Sequence, residues 1–188
     1  MSAKIKSVVL LLAAAILTGC VAAVVTSAVA GMVYDRRGVI TMEADARIFH
    51  LVHKALVTNR QLSDSRIIVS SYNRVVLLVG ETPTTSGRIL AEQIARSTPG
   101  VYRVYNEITV GYPIPLTTRS KDSLITSQVR SSMLAKKGLE SGSIRIVTEN
   151  RVVYLMGIVT EQQVSLAVDV ARRINGVNKV VKTFQYIH

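Results

Sequence analysis

The sequence lacks tryptophan and has a single cysteine, Cys20, among its 188 residues. A lone cysteine excludes a disulfide within the chain. Aromatic residues make up only 5%. The sequence also has no Gly-rich phosphate loop and no serine nucleophile elbow, and its acidic residues are scattered rather than paired. We therefore expect neither an enzyme nor a cofactor.

The cysteine stands at the end of a signal peptide. Lys4 and Lys6 form a basic start, residues 8–17 form an apolar core, and LTGC occupies residues 17–20. This motif resembles the lipobox of bacterial lipoproteins. The resemblance implies that the Cys20 thiol receives a diacylglyceryl group and that cleavage removes residues 1–19. Residues 20–43 are then a lipidated N-terminus and a mostly irregular tether.

An alternative for the N-terminus stays open. Residues 8–33 contain no charge, and a span of roughly 20 apolar residues crosses a bilayer, so a plain transmembrane anchor also fits. Val21, rather than Asp, follows the cysteine. In lipoproteins of this kind, Asp there resembles an inner-membrane retention signal. Its absence predicts an outer-membrane lipoprotein that faces the periplasm.

The chain is strongly basic, with a formal net charge of +11. Such a charge suits an anionic partner, either a nucleic acid or a lipid surface. Export behind a signal peptide argues against nucleic acid. The charge is concentrated late in the chain, because residues 119–188 carry eleven Lys and Arg against five Asp and Glu.

An internal repeat runs through the predicted mature chain. NRVVLLVG at residues 73–80 returns as NRVVYLMG at residues 150–157, and PGVYRV at residues 99–104 returns as NGVNKV at residues 175–180. Two matches in the same order, at offsets of 77 and 76 residues, indicate a duplication. We predict two domains, over residues 44–110 and 119–188, joined by a proline-containing linker over residues 111–118.

Each copy shows the same order of periodic patterns, α-β-β-α-β. The predicted elements of the first and second copy are a helix (44–58, 121–135), two strands of a hairpin (67–70 and 75–79, 144–147 and 152–156), a second helix (86–97, 161–174) and a last strand (104–110, 180–187). Asn73 and Asn150 suit the hairpin turns, since Asn tolerates positive φ. Gly80 and Gly157 are predicted to end the second strand of each hairpin.

This order resembles the BON domain. The residues that carry the resemblance are VG at 79–80, MG at 156–157, and G-V-x-x-V at 100–104 and 176–180. The resemblance implies an α+β fold, in which each domain packs two helices on a small three-stranded mixed sheet. Two such domains behind a lipobox resemble non-enzymatic outer-membrane lipoproteins that maintain the envelope barrier.

The resemblance also implies partners. Such lipoproteins bind anionic phospholipid, phosphatidylglycerol or cardiolipin, through the first helix of the second domain. They also associate with the outer-membrane barrel assembly machinery and with division sites. The alternative function is therefore a protein-interaction module that binds the barrel assembly machinery or a peptidoglycan-enzyme activator.

The helix predicted over residues 121–135 has two apolar sides. Ile125, Val129 and Met133 form a stripe that we assign to the core, whereas Leu124 and Leu134 point away from it. Where Leu124 stands, the resemblance implies an aromatic residue, and Leu keeps the apolar character without the interfacial preference of Trp. We predict six phospholipid contacts on this second side: Leu124, Gln128, Arg130, Ser131, Leu134 and Lys137.

Two histidines on the first helix are the remaining candidate for chemistry. His50 and His53 lie three residues apart and could both face one metal ion. No Cys, Asp or Glu at a convincing spacing completes the ligand set. We therefore predict no metal site.

The lipobox generates a direct test. Cys20→Ala is expected to leave an uncleaved precursor or a mislocalised protein, because the thiol that receives the diacylglyceryl group is gone. Mass spectrometry of the membrane fraction should find an acylated N-terminal cysteine in the wild type. An unmodified cysteine in that fraction would contradict the prediction.

Overall fold

Both copies of the repeat lie within the part of the chain that the structure, a computed structural model, describes, residues 35–187. Cys20, the predicted signal peptide, most of the tether and the alternative transmembrane segment lie outside the described residues. Between residues 35 and 187, no helix combines the length and the apolar character needed to cross a membrane.

The predicted α-β-β-α-β order is confirmed in both copies, and so is the α+β fold class. In each copy the two hairpin strands pair antiparallel, and the second of them pairs in parallel with the last strand. The first copy comprises α1 (Val39–Val57), β1 (Arg66–Tyr72), β2 (Val75–Thr82), α2 (Thr85–Ser97) and β3 (Arg103–Val110). The second comprises α3 (Leu116–Ala135), β4 (Ile144–Glu149), β5 (Val152–Val159), α4 (Glu161–Arg172) and β6 (Lys179–Tyr186).

The first helix of each copy begins earlier than predicted. Helix α1 starts at Val39, inside the segment predicted to be an irregular tether, and α3 starts at Leu116, inside the predicted linker. Pro115 lies just before α3, and its carbonyl accepts the first helical hydrogen bonds, from Thr118 and Arg119. Proline is tolerated there because the N–H that it lacks would have no partner inside the helix.

Two glycines lie inside strands rather than at their ends, which corrects the prediction. Strand β2 continues past Gly80 to Thr82, and β5 continues past Gly157 to Val159. A Cβ atom on Gly80 would lie 2.0 Å from the Arg66 carbonyl oxygen, and one on Gly157 would lie 2.4 Å from that of Ser143. Glycine is therefore required by close backbone approach, not by strand termination.

A buried aspartate on the first helix of each copy holds the hairpin turn. Asn73 and Arg74 both have positive φ, as type I′ turns require. Asp45 is only 4% exposed, and its carboxylate accepts both of their backbone N–H groups at 2.7 Å. Asp122, also 4% exposed, accepts the N–H groups of the corresponding second turn at 2.8 and 2.9 Å. The helix and the hairpin are thereby fixed to each other.

Asp122→Ala should strongly destabilise the protein. The substitution leaves two partly buried turn N–H groups without their acceptor, and an unsatisfied group costs up to about 1–3 kcal/mol when it is buried. We expect a loss of roughly 2–5 kcal/mol in the free energy of unfolding, measured by denaturant titration. Asp64→Ala is the matched control, because Asp64 is exposed. Equal stability of the two variants would contradict this role of Asp122.

The sheets are buried on both faces. One face of each sheet packs on its own two helices, as shown by Val76 and Leu78 in the first copy and Val153 and Leu155 in the second. The other faces form a third apolar cluster, in which side chains of β2 join those of β5. Its buried members are Tyr72, Val75, Leu77, Val79, Tyr154 and Met156. The two domains therefore share an apolar interface.

Polar contacts flank this interface. The Arg66 guanidinium pairs with the Glu149 carboxylate, and Asn73 Nδ2 donates to Gln185 Oε1 at 2.6 Å. Burial raises the pKa of Glu149 to about 7, because the loss of hydration outweighs the opposing effect of Arg66. The negative charges of Glu81 and Asp122 add to the rise. Glu149 therefore titrates near neutral pH within the folded protein.

The raised pKa predicts a pH-dependent stability with a definite sign. Between about pH 4.5 and pH 7 the folded state holds a proton on Glu149 that the unfolded state has released, so this group's contribution falls as pH rises. Glu149→Gln should remove that fall, which amounts to roughly 3 kcal/mol. Denaturant titrations at several pH values compare the two proteins. Parallel stability curves would contradict the assignment.

Candidate phospholipid-binding surface

The outer side of helix α3 carries three isolated apolar side chains. Its inner side buries Asp122, Ile125, Val129 and Met133, which agrees with the predicted core stripe. Leu124 and Leu134 are 64% and 68% exposed, and Leu116 is 73% exposed on the added first turn. Leu116 lies in the segment predicted to be the linker, so it was not predicted as part of this side of the helix. Three leucines therefore project from one helix into solvent.

Serines surround these leucines, and their hydroxyls are already bonded to the helix. Four serine hydroxyls each donate a hydrogen bond to the backbone carbonyl oxygen four residues earlier, at 3.0–3.1 Å. They are Ser120, Ser123, Ser127 and Ser131. A hydroxyl that donates to its own backbone has less need of water. Moving these serines to an apolar boundary therefore costs less free energy than moving four hydroxyls that are bonded only to water.

The charges that helix α3 presents at the surface are all positive. The helix sequence contains three basic residues, Arg119, Lys121 and Arg130, and its one acidic residue, Asp122, is buried under the hairpin turn. An anionic surface that approaches α3 therefore meets no exposed carboxylate of the helix itself.

A cleft of about 480 Å³ opens beside Leu124. Leu124 and Gln128 line it together with Lys121 and Arg151. The Arg151 guanidinium is oriented by its Nε, which donates to the Gly176 carbonyl oxygen at 2.9 Å. Neither cation is among the six predicted phospholipid contacts. Lys121 could have been found from its position three residues before Leu124, whereas Arg151 reaches the cleft only through the tertiary fold.

Gln128 and Ser131 also line a second cleft along α3, beside Arg173. The structure thus places four of the six predicted residues on exposed parts of the helix: Leu124, Gln128, Ser131 and Leu134. Lys137 is exposed but follows the end of the helix at Ala135. Contact of these residues with phospholipid stays a prediction.

Arg130 lies apart from the other predicted residues. It is half-buried, and its Nη1 donates to the Ile144 carbonyl oxygen at 3.0 Å. Burial lowers the pKa of Arg130, and the nearby charge of Arg145 lowers it further. Arg130 is thus directed toward β4 rather than toward the exposed leucines.

The two histidines of α1 are exposed and contact an aromatic ring. The Phe49 ring lies 5.8 Å from that of His50 and 5.6 Å from that of His53, between ring centroids. Within residues 35–187, no three His, Cys, Asp or Glu side chains are grouped so that they could hold a metal ion.

Comparisons with known proteins agree with the two-domain fold. The model of the BON domain family matches residues 44–112 and 121–187. "Outer membrane lipoprotein DolP" of Haemophilus influenzae is 38% identical over 187 residues, covering 97% of this chain and 97% of that protein. "21 kDa hemolysin" of Actinobacillus pleuropneumoniae is 36% identical over 154 residues, covering 81% and 79% respectively.

A likeness to solved structures is weak. CdsD, a structural protein of the type III secretion system of Chlamydia trachomatis, aligns with a TM-score of 0.33 at 8% identity, over 75% of this chain and 92% of that chain. A score at this level does not indicate a shared overall arrangement.

Proposed function

Because the chain belongs to the BON-domain family and is a lipid-anchored outer-membrane lipoprotein with two such domains, we propose that its second domain binds anionic phospholipid. In this proposal α3 lies against the membrane surface, and Leu124 inserts at the boundary between headgroups and acyl chains. The role is non-enzymatic, and it supports the integrity of the outer membrane.

One observation carries the proposal. Leu124 projects beside a cleft that also holds Lys121 and Arg151, on a helix without an exposed carboxylate. An apolar side chain flanked by cations matches the chemistry of an anionic membrane surface, which offers hydrocarbon below a layer of phosphate groups. Phosphatidylglycerol and cardiolipin both present such a surface.

The expected strength of this contact is low. Full burial of a leucine contributes roughly 1.5–3 kcal/mol, and Leu124 inserts only in part. Each cation near an anionic membrane contributes about 1 kcal/mol. Together these contributions reach about 4 kcal/mol, which corresponds to a dissociation constant on the order of 1 mM. The acyl chains on Cys20 are therefore the main anchor, and α3 adds selectivity for lipid charge.

The test uses residues 36–188, which form one compact unit and lack the lipid anchor. Leu124→Glu should weaken binding to phosphatidylglycerol vesicles at least about tenfold, because it replaces an inserting apolar group by a charge repelled by the surface. Ile89→Glu is the matched control, since Ile89 is 52% exposed on α2. Neutral phosphatidylcholine vesicles should bind neither variant nor the wild type, and added salt should weaken wild-type binding.

Two outcomes would overturn the proposal. Leu124→Glu that binds as tightly as Ile89→Glu would place the contact elsewhere. If the wild type does not bind protein-free vesicles, the alternative function is favoured. That alternative is an envelope protein-interaction module that binds the barrel assembly machinery or a peptidoglycan-enzyme activator. Amide spectra of both variants verify that each substitution leaves the fold intact.

A further inference from the structure

A pocket of about 420 Å³ lies where the first domain meets strand β4 of the second. Helix α1 contributes Met42, Phe49 and His50, β1 contributes Ser70, and β4 contributes Arg145. We call this the junction pocket. The α1 side combines the apolar Met42 and Phe49 with the polar His50, and Arg145 and His50 are exposed to solvent.

The one carboxylate of the junction pocket is fully engaged. Asp45 pairs with Arg37 at 2.7 Å and accepts the Ser71 hydroxyl at 2.9 Å, in addition to the two N–H groups of the hairpin turn. The Arg37 guanidinium also lies 3.9 Å above the Tyr72 ring. Arg37 and Asp45 therefore neutralise each other, and neither sets the net charge of the pocket.

Arg145 is left as an uncompensated cation. No carboxylate in the described part of the chain forms an ion pair with Arg145 or with Arg130. The charge of Arg145 also contributes to lowering the pKa of Arg130, which shows that the two guanidinium groups repel each other. Of the two, Arg145 lines the junction pocket, and a cation without an ion-pair partner in a pocket wall favours an anionic ligand.

The cations that line the junction pocket are not repeated at the equivalent positions of the duplicated fold. At the repeat offset of 77 residues, Ile68 takes the place of Arg145 and Ile114 takes the place of Arg37. Ile68 packs on the cluster between the sheets, and Ile114 of the linker is buried. The cations are thus particular to one side of the interface, and general properties of the fold do not require them.

We propose that the junction pocket binds the phosphate group of a glycerophosphate, with Arg145 and the Ser70 hydroxyl on the phosphate and Met42 and Phe49 against the glycerol stem. The His50 imidazole lies on the same wall as a further hydrogen-bonding group. Guanidinium and hydroxyl donors suit phosphate oxygens, and Met42 and Phe49 can contact the C–H groups of the glycerol. The phosphate can belong to a lipid headgroup or to a soluble glycerophosphate. This site does not depend on the Leu124 surface.

Nuclear magnetic resonance of residues 36–188 provides the test. The probes are glycerol 3-phosphate and dihexanoyl phosphatidylglycerol, the latter below its micelle concentration. Saturable shifts of the His50 ring and Ser70 amide signals are expected with at least one probe. Arg145→Gln should weaken that binding at least about tenfold, through loss of a charge-assisted contact. Shifts by both probes indicate a soluble glycerophosphate, and shifts by the lipid alone indicate a headgroup.

Three variants distinguish binding in the junction pocket from binding elsewhere on the protein. Arg60→Gln removes an exposed arginine outside the pocket and should bind as the wild type does. Leu124→Glu should also leave the His50 and Ser70 shifts intact, even where it abolishes vesicle binding. His50→Ala tests the α1 wall independently and should weaken binding. The proposal is wrong if neither probe shifts these signals, or if Arg145→Gln binds as tightly as Arg60→Gln.

Discussion

The contact between a buried aspartate and a hairpin turn is the constraint on which each domain depends. Residues with positive φ direct two backbone N–H groups toward the helix, and Asp45 or Asp122 accepts both. Without the carboxylate, these partly buried donors would lose their acceptor. Because the aspartate fixes the rotation of its helix, it also decides which residues face outward. Asp122 and the buried stripe of α3 lie on the inner side of the helix, and Leu124 lies on the outer side.

The interface between the sheets explains how two small repeats form a stable protein. A domain of about 70 residues buries little surface by itself and is marginally stable. Here the second face of each sheet is covered by the other domain, through Leu77 and Val79 on one side and Tyr154 and Met156 on the other. The titration of Glu149 takes place at the edge of this interface, so the stability of the whole unit responds to pH.

The duplication also shows how equivalent positions acquire different surfaces. The first-domain helix carries a salt-bridged pair, Glu43 and Arg47, at the positions where the second carries Ser120 and Leu124. A neutral, partly apolar side beside basic residues is thus a property of α3. The junction shows the reverse case. The repeat positions that correspond to Arg145 and His50 hold uncharged residues. Two surfaces of different chemistry therefore arise from one repeated fold.

The sequence alone determined the repeat, the order of elements and the α+β class, because hydrophobic periodicity and turn residues are local signals. It also determined the outward direction of Leu124 and Leu134, since helical spacing relative to the buried stripe of α3 is local too. Helix starts were predicted less well. Pro115 was predicted to be part of an extended linker, whereas the structure places it immediately before the first residue of α3.

Only the tertiary structure decided how distant groups meet. Gly80 and Gly157 were predicted to end strands, yet each permits the backbone of a neighbouring strand to approach closely. Arg130 was predicted to contact phospholipid, and in the fold its guanidinium donates a hydrogen bond to the Ile144 carbonyl oxygen. Arg145 joined the junction pocket from a strand remote in the chain. Periodicity specifies the face on which a residue lies, whereas contacts between elements are set by packing, which no local pattern encodes.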